Sequence, residues 1–400
     1  MDGEADYRRA DEAGSASGSF NLGLSLHLRG DLVGAKEAYA RAAARGDAPG
    51  AYNLGQILRG EGDLAGSEEA FRRAGDLGDR HGDTALGALL VERGDAVGAT
   101  AAFVRADQGG DALGAFNLAA LLEAEGDDRA AAQAYLRAEQ RGYVVGGAAA
   151  GTVLLRLGDE TGAESAFRRA DGQGSAMGAF RLAFLLHGRG EIGAAEEAYR
   201  RAEQHGENRR EQTAARHADD DGPAGDFWTE NDGELQAGVE AANNLGVLLR
   251  DRGQMTAAED AFRRADERGS GEGAASLGVL LERRRDLVAA QHAYRRADER
   301  GSAAGAYNLG QILARNGDVA GAEEAYARAD ERGDPDGAAM HGVLLQQRGD
   351  LVGAEAASRR ADARGSANGA YNLAVSLKQR GELHEANEAL ERARRRGFQQ

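Results

Sequence analysis

Apolar residues recur along this chain in two short helical patterns that glycine separates. In the segment beginning at Gly50, the first pattern contains Leu54, Ile57 and Leu58, and the second again places apolar residues three and four positions apart. This spacing puts apolar side chains on one face of an α-helix. No alternation with a period of two, which is typical of strands, competes with it. The pattern therefore predicts pairs of amphipathic helices.

The helix pair repeats at a constant spacing within each half of the chain, and we number the positions of one unit from 1 to 32. The unit from Gly305 to Asp336 shows the pattern most fully. Eleven units begin at Gly18, Gly50, Gly82, Gly114, Gly146, Gly178, Ala241, Gly273, Gly305, Gly337 and Gly369. Because one helical hairpin cannot bury its apolar face alone, the repetition predicts an all-α solenoid of stacked antiparallel helix pairs.

Several positions hardly vary, and each predicts a local structure. Position 25 is alanine in every unit and position 22 is usually tyrosine or phenylalanine, which predicts a close helix contact beside one large buried ring. Position 29 is always glycine, and position 13 is glycine except at Arg285. A glycine in the left-handed conformation ends a helix, and the Asp or Ser that often follows can cap the next one. On the second helix, glutamates stand four residues before arginines, as in Glu69 and Arg73, which is typical of a solvated face.

The run A-Y-N-L-G, then G-D, then A-x-x-A-Y-x-x-A, resembles the tetratricopeptide repeat, and the closing A-x-x-x-G resembles the SEL-one-like repeat. The resemblance covers nearly the whole chain. The units are slightly shorter than the family's usual repeat of about 34 residues. They also lack a proline that closes the second helix. The resemblance implies a right-handed superhelix in which the first helices line the concave side and bind segments of other proteins.

The chain begins with what resembles half a unit. Residues 1–17 contain a match to positions 22 to 29, formed by Tyr7, Arg8, Arg9, Ala10 and Gly14. This predicts a second helix without its first helix. Either this helix acts as a cap, or the chain is cut from a longer array, or another protein covers the open stacking face. The same face would allow end-to-end self-association.

Residues 207–240 separate a first array, residues 18–206, from a second array, residues 241–400. The segment is either a linker or a decayed repeat. We favour a decayed repeat because the insertion is almost as long as one unit and because Gly222 and Gly238 fall at positions 13 and 29. Its acidic run, residues 219–221, is similar to the start of a calcium loop, but Trp228 stands where a glutamate ligand is needed, so no calcium site is expected.

Composition and charge narrow the classes of function. A net charge of -17 disfavours attraction to nucleic acid or to an anionic membrane. The absence of cysteine excludes disulfides and thiolate chemistry, and the histidines show no metal-ligand spacing. No apolar stretch approaches the length of about 18 residues that a membrane-spanning helix needs. Because the N-terminus is also polar, a cytoplasmic protein is predicted. We expect no cofactor, no metal and no catalysis.

The candidate binding face is that of the first helix. Aromatic residues at position 3, asparagines at position 4 and glutamines at position 7 lie close together on a helix. The candidate partner-binding residues are Tyr52, Asn53, Gln56, Phe116, Asn117, Phe180, Arg181, Tyr307, Asn308, Gln311, Tyr371 and Asn372. In tetratricopeptide proteins the matching asparagine can bond a peptide backbone or carboxylate. A carboxylate clamp also needs a basic residue, for which only Arg181 and Lys378 are candidates, so such a clamp is not expected.

Two interpretations of these residues stay open. Their rings would stack on a peptide while the amides bond its backbone, or the same side chains would only fill the seam between successive units. The favoured hypothesis is a non-catalytic scaffold or adaptor that holds protein partners along the concave face. The alternative is a regulatory array that acts with a fused or separately encoded effector protein.

Overall fold

Each unit folds into two antiparallel helices joined by a short turn. In the unit that begins at Gly305, the helices are Ala303–Arg315 and Val319–Glu331. The computed structural model describes residues 2–219 and 228–398, and this part of the chain is helical without a strand. No helix in it is both long and apolar enough to cross a membrane. The prediction of stacked antiparallel helix pairs is confirmed.

The chain divides into two compact units, Met1–Leu185 and Leu186–Gln400. The first contains α1 (Asp2–Glu12), α2 (Ala16–Leu28), α3 (Leu32–Ala44), α4 (Ala48–Gly60), α5 (Leu64–Asp76), α6 (Arg80–Glu92), α7 (Ala96–Gln108), α8 (Ala112–Ala124), α9 (Asp128–Gln140), α10 (Val145–Arg156) and α11 (Glu160–Gly172). The boundary falls inside α12 (Ala176–Gly188). Within this unit α1 packs against α2 as a second helix, where residues 1–17 were predicted to form a half repeat.

The second compact unit begins with two long helices and continues with regular pairs. It contains α13 (Ile192–Asp219), α14 (Trp228–Asp251), α15 (Met255–Glu267), α16 (Gly271–Arg283), α17 (Leu287–Glu299), α18 (Ala303–Arg315), α19 (Val319–Glu331), α20 (Pro335–Arg348), α21 (Leu351–Ala363), α22 (Ala367–Gln379) and α23 (Leu383–Arg395). Each helix packs against the next one along the chain.

The predicted stop and start signals are present in the turns. Glycines at positions 13 and 29 have positive φ, for example 83° at Gly317 and 94° at Gly333. The side chain of Ser302 accepts a hydrogen bond from the Gly305 amide at 3.1 Å, and Asp318 caps the second helix in the same way. Arg285 takes the same left-handed conformation, with φ of 62°, although a Cβ makes it unfavourable.

Small residues set the distance between the helices. The alanine at position 25 is buried in all eleven units. The glycine at position 1 lies against the alanine eight residues earlier, and a Cβ added to Gly305 would lie 2.3 Å from Cβ of Ala297. The glycine at position 6 receives the ring of position 22, as Gly310 does with Tyr326. The helix backbones therefore approach closely around one large ring per unit.

A buried carboxylate at position 26 links the second helices of successive units. Asp298 accepts hydrogen bonds from Arg328 at 2.7 Å and from Arg332 at 2.6 Å, 30 and 34 residues later. We call this arrangement the Asp–Arg clamp. It recurs at Asp11 with Arg41 and Arg45, Asp107 with Arg137 and Arg141, Asp266 with Arg296 and Arg300, Asp330 with Arg360 and Arg364, and Asp362 with Arg392 and Arg396.

The clamps correct the interpretation of the second-helix charges as a solvated face. Glu68 and Arg72 pair on the surface as predicted, but Arg73 donates instead to the carbonyl oxygens of Ala43 and Ala44. Position 26 of the preceding unit is Ala43, so Arg73 has no carboxylate there to bind. The arginine at position 24 therefore reaches back to the preceding unit in the clamps and at Arg73, because the stack brings second helices side by side. Arg105 is different, since it pairs with Asp83 of its own unit.

The clamp carboxylates of Asp11 and Asp266 are stronger acids than isolated ones. Burial raises the pKa of Asp11, but hydrogen bonds from Arg41, Ser19 and Arg45 outweigh it and lower the pKa to about 2. The pKa of Asp266 is also lowered, because hydrogen bonds from Arg296 and Arg300 outweigh the effect of burial. These two clamps therefore stabilise the charged, folded form.

Further charge pairs join neighbouring units, and some have reversed polarity. Position 19 of one unit pairs with position 12 of the next, as in Glu323 with Arg348 at 2.7 Å. In the first unit the pair is Lys36 with Glu61, also at 2.7 Å, with the charges exchanged. A carboxylate that faces the next unit can also accept from the buried ring, as Glu282 does from Tyr294. Polar contacts thus follow the stack at several levels.

Residues 207–240 do not interrupt these contacts. Glu203, before the segment, accepts hydrogen bonds from Arg264 at 2.5 Å and Arg268 at 2.7 Å, which are clamp contacts between adjacent units. The flanking units therefore stack directly on each other. Residues 207–219 continue α13 and residues 228–240 belong to α14, so these described residues add length to two helices. Its origin as a decayed repeat stays a prediction.

Two glycines in this region do not end helices. Gly206 was predicted to end a second helix, but it lies inside α13, and Gly238 lies inside α14. Position 30 after Gly206 is Glu207 instead of Asp or Ser, so the usual cap for a new helix is absent. A Cβ added to Gly206 would lie 2.9 Å from Cα of Gly238, so both glycines allow the two helices to touch. Gly222 lies outside the described residues.

Replacing Arg285 with glycine should stabilise the protein by about 1 kcal/mol, because it removes the Cβ from a left-handed residue. Thermal unfolding followed by circular dichroism measures the change. Gly317→Arg, at the same position of the next unit, is the matched reverse variant and should destabilise by a similar amount. A lower melting temperature for Arg285→Gly would contradict this explanation.

Asp266→Asn should destabilise the protein by about 2 kcal/mol at neutral pH, because two charged hydrogen bonds are lost. Since folding lowers the pKa of Asp266, its contribution is complete above the unfolded pKa near 4 and is lost as pH falls through the lower folded value. The variant should therefore lose less stability than the parent as the pH falls below about 4.

Urea unfolding at several pH values measures both effects. The exposed Asp260, which pairs with Arg263 on the same helix, provides the control. Asp260→Asn should cost about 0.5 kcal/mol or less. Equal losses in the two variants would show that burial of Asp266 has no special effect.

Candidate functional site

The aromatic side chains at position 3 lie against the core ring of their own unit. The ring centres of Tyr52 and Phe71 are 5.7 Å apart, and those of Tyr307 and Tyr326 are 5.9 Å apart. Phe116 lies 5.0 Å from Tyr135 in the same manner. These position 3 rings are half-buried. One part of each ring therefore completes the core, and the other part remains at the surface of the first helix.

Three other candidate residues, Phe180, Arg181 and Tyr371, lie in different surroundings. Phe180 is buried, so its ring does not contribute to an exposed face as predicted. Arg181, the next residue, is exposed. Tyr371 stacks on Phe398, with ring centres 4.2 Å apart, so one of its faces is covered. The exposed aromatic surface is therefore smaller than the sequence pattern suggested.

Tyrosine and glutamine on the first helix form a fixed pair. Gln56 donates to the hydroxyl of Tyr52 at 2.8 Å, and Gln311 donates to the hydroxyl of Tyr307 at 2.7 Å. The two residues are four positions apart and so lie on the same helix face. Burial and the negative charge of Asp336 raise the pKa of Tyr307, so its hydroxyl stays protonated and neutral. Each pair presents a ring and an amide in a defined orientation.

The residues at position 4 face the preceding unit. The amide of Asn372 donates to the carbonyl oxygen of Ala339 at 3.4 Å, and Ser276 bonds Asn243 at 3.2 Å. Asn53 lies close enough to Tyr39 to lower the pKa of that hydroxyl, although burial, the larger effect, raises it. The contact between Asn53 and Tyr39 is not a well-formed hydrogen bond, since the buried Tyr39 hydroxyl has no hydrogen-bond partner. These observations favour a role for position 4 in the seam.

The same nine residues, GAYNLGQIL, occur at 50–58 and at 305–313, one in each compact unit. The Tyr, Asn and Gln of both segments are half-buried. The two segments also share the Tyr–Gln hydrogen bond and the ring contact, at interplanar angles of 47° and 46°. We call each set, Tyr52 with Asn53 and Gln56 and Tyr307 with Asn308 and Gln311, a Tyr–Asn–Gln cluster.

The second compact unit also has an open groove of about 510 Å³ beside α14. It is lined by Gln236, Glu240, Asn243, Asn244, Gly269, Ser270, Gly271, Glu272, Arg300, Gly301 and Ser302. Gln236 and Glu240 belong to residues 207–240, which depart from the repeat, so the repeat pattern does not reveal this groove. Within the described ranges, no group of three or more His, Asp or Glu side chains has a geometry suited to a metal ion.

The tetratricopeptide repeat family model matches residues 230–273 and 276–338, just over a quarter of the chain. Both matched stretches lie in the second compact unit. The internal repetition carries the same helix pair through the other units. A comparison with curated protein sequences found no match.

Solved structures of similar fold include repeat proteins of two kinds. One is c5321, a protective antigen of uropathogenic Escherichia coli with an SLR fold, at 20% identity and a TM-score of 0.45, covering 98% of this chain and 94% of that one. A Sel1 repeat protein from Oxalobacter formigenes has 20% identity and a TM-score of 0.46, covering 62% and 99%. YrrB, described as a TPR protein with an unusual peptide-binding site, has 20% identity and a TM-score of 0.30, covering 44% and 94%.

Gln311→Ala should lower the free energy of unfolding by about 1 kcal/mol or less, because it removes one half-exposed neutral hydrogen bond. Tyr307 should remain packed on Tyr326, since the ring contact does not involve the amide. Urea unfolding and near-ultraviolet circular dichroism measure both. A loss above about 2 kcal/mol would instead assign Gln311 a structural role in the stack.

Proposed function

Because this chain is a tetratricopeptide and SEL-one-like repeat protein, we propose that it is a non-catalytic scaffold that binds segments of other proteins on its first helices. Repeats of this kind generally mediate protein–protein interaction. Each compact unit provides a continuous surface of first helices held by their second helices. Such a surface suits an extended or helical segment better than a small molecule.

The observation that carries the proposal is the pair of Tyr–Asn–Gln clusters. A half-exposed ring offers a face for stacking, and the adjacent amide offers a donor and an acceptor to a peptide backbone. The hydrogen bond from glutamine to tyrosine fixes both groups before a partner arrives, which reduces the entropy lost on binding. The two clusters would recognise the same chemical feature in a partner.

The charge of the chain indicates the kind of segment that would bind. With a net charge of -17, the protein attracts positively charged segments over a distance and repels acidic ones. Most arginines of the second helices are engaged in clamps or surface pairs. We therefore propose that the partners present basic residues beside the aromatic or amide groups that the clusters contact.

Substituting both clusters should release the partners. The variant carries Asn53→Ala, Gln56→Ala, Asn308→Ala and Gln311→Ala, which leave the rings and the core in place. We expect the amount of each specific partner captured from a lysate of the source organism to fall about tenfold, equivalent to about 1.4 kcal/mol of binding free energy. Quantitative mass spectrometry measures the loss.

The control carries Gln133→Ala and Gln291→Ala, which change neutral side chains on the second helices α9 and α17. Circular dichroism should show that both variants keep the helical content of the parent. Partners that the control retains and the cluster variant loses would support the proposal. If the folded parent captures no partner, or if the cluster variant retains every partner, the proposed site is wrong.

A further inference from the structure

The second compact unit exposes apolar side chains at the first turn of each regular second helix. These residues are Met255, Leu287, Val288, Val319, Leu351, Val352 and Leu383, which we call the edge row. Their exposed fractions range from 46% to 83%. Exposed apolar residues scattered singly need no explanation, but a continuous row indicates a contact surface.

The geometry of the stack places these residues along one edge. The Asp–Arg clamps join α15 to α17 through Asp266, and α17 to α19 through Asp298. Because every clamp connects equivalent positions, the second helices lie side by side and point the same way. Their first turns therefore line a single edge, and stacking leaves that edge uncovered.

The first compact unit carries only a shorter row. Leu32, Val33, Leu64 and Val97 are exposed at the first turns of α3, α5 and α7. However, the first turns of α9 and α11 begin with Asp128 and Glu160 instead of apolar residues. The apolar character of the edge row is therefore not a general requirement of the repeat.

The edge row also differs from the rest of the chain in charge. The five turns that carry it, residues 252–256, 284–288, 316–320, 348–352 and 380–384, contain five arginines and four acidic residues. Their charges nearly cancel, whereas the whole chain carries -17. Two copies of a strongly acidic protein repel each other unless they meet at a surface that is close to neutral. The edge row meets this condition.

The number of apolar residues per turn follows the same order from either end of the row. Single apolar residues at Met255, Val319 and Leu383 alternate with the pairs Leu287 and Val288, and Leu351 and Val352. In a two-fold contact each residue faces the partner of its mirror position. The pairs would then face each other, and Val319 at the centre would face itself.

We propose that the edge row is the interface of a homodimer, in which two copies of this chain pair in antiparallel order about Val319. Second helices packed about 10 Å apart give five turns a length of about 40 Å. A standard stable interface buries about 800 Å² per copy, so a contact of this length needs a width of about 20 Å, which includes the turns beside the row. This inference does not depend on the proposed scaffold function.

The first test measures the mass of the full chain by sedimentation equilibrium. The parent should form a dimer of the 41.8 kDa chain, and Val288→Lys with Val352→Lys should be a monomer. The matched control, Val33→Lys with Val97→Lys, changes equally exposed valines of the first unit, since Val97 and Val352 are both 83% exposed. The control should remain a dimer.

Two outcomes of this test would overturn the proposal. A parent that stays monomeric up to about 100 μM, the range of weak complexes, has no such interface. A control that dissociates as readily as the edge-row variant would show that added lysines act without regard to place. Circular dichroism confirms that each variant is folded, which is expected because the substituted side chains are exposed.

The second test uses cysteines, because the natural chain has none. Val319→Cys should form an intermolecular disulfide on mild oxidation, since the antiparallel order brings this residue close to its own copy. Val97→Cys should not crosslink at that rate. A mixture of Val288→Cys and Val352→Cys chains should crosslink as a heterodimer. Crosslinking of Val288→Cys chiefly to itself, or no excess for Val319→Cys, would overturn the antiparallel dimer.

Discussion

The close contact between glycine at position 1 and alanine at position 25 determines the spacing of the whole stack. At Gly369 an added Cβ would lie 2.2 Å from Cβ of Ala361, so no larger residue fits without moving the helices. Ten of the eleven units have glycine at position 1, the exception being Ala241, so most units meet their neighbours through this contact. Because small residues bury little apolar area, packing alone contributes less here than in a core of large side chains. The Asp–Arg clamps add directional contacts that the small residues cannot supply.

Much of the fold was predictable because it depends on local signals. Arg285 was identified as the exception at position 13, and the structure gives it the left-handed conformation that glycine has elsewhere. The clamps were not predictable in this way, because Asp298 and Arg328 are 30 residues apart and meet only once the stacking of second helices is known. Gly206 was mispredicted because a glycine was taken as sufficient to end a helix. A missing cap is not sufficient to continue a helix either, since α9 ends before Gly142 although Tyr143 follows. At Gly206 the helix continues and packs against α14.

The candidate site was predictable in its location and less so in its role. Helical spacing brought tyrosine and glutamine together, and the structure joins them by a hydrogen bond. The depth of each ring depends on the core ring beneath it, so the burial of Phe180 could not be derived from its position in the unit. Asn372 bonds the preceding unit, and its neighbour Tyr371 stacks on Phe398. Which polar groups remain available to a partner depends on these tertiary contacts.

Comparison of the two Tyr–Asn–Gln clusters separates stacking from binding. The units that contain them differ in their stacking contacts: the core ring is Phe71 in one and Tyr326 in the other. The charge contacts of their first helices also differ, because Arg59 binds a carboxylate of the following unit whereas Arg315 binds one of the preceding unit. The stack therefore accepts either phenylalanine or tyrosine as the core ring, and an arginine pair to either neighbouring unit. The glycines, alanine and apolar residues of each segment serve the close contacts and the core, so stacking explains their identity. Tyr, Asn and Gln are the part that is left, since other units stack with Thr84 or Ala148 at position 3. The proposal that this face binds a partner would account for these three residues.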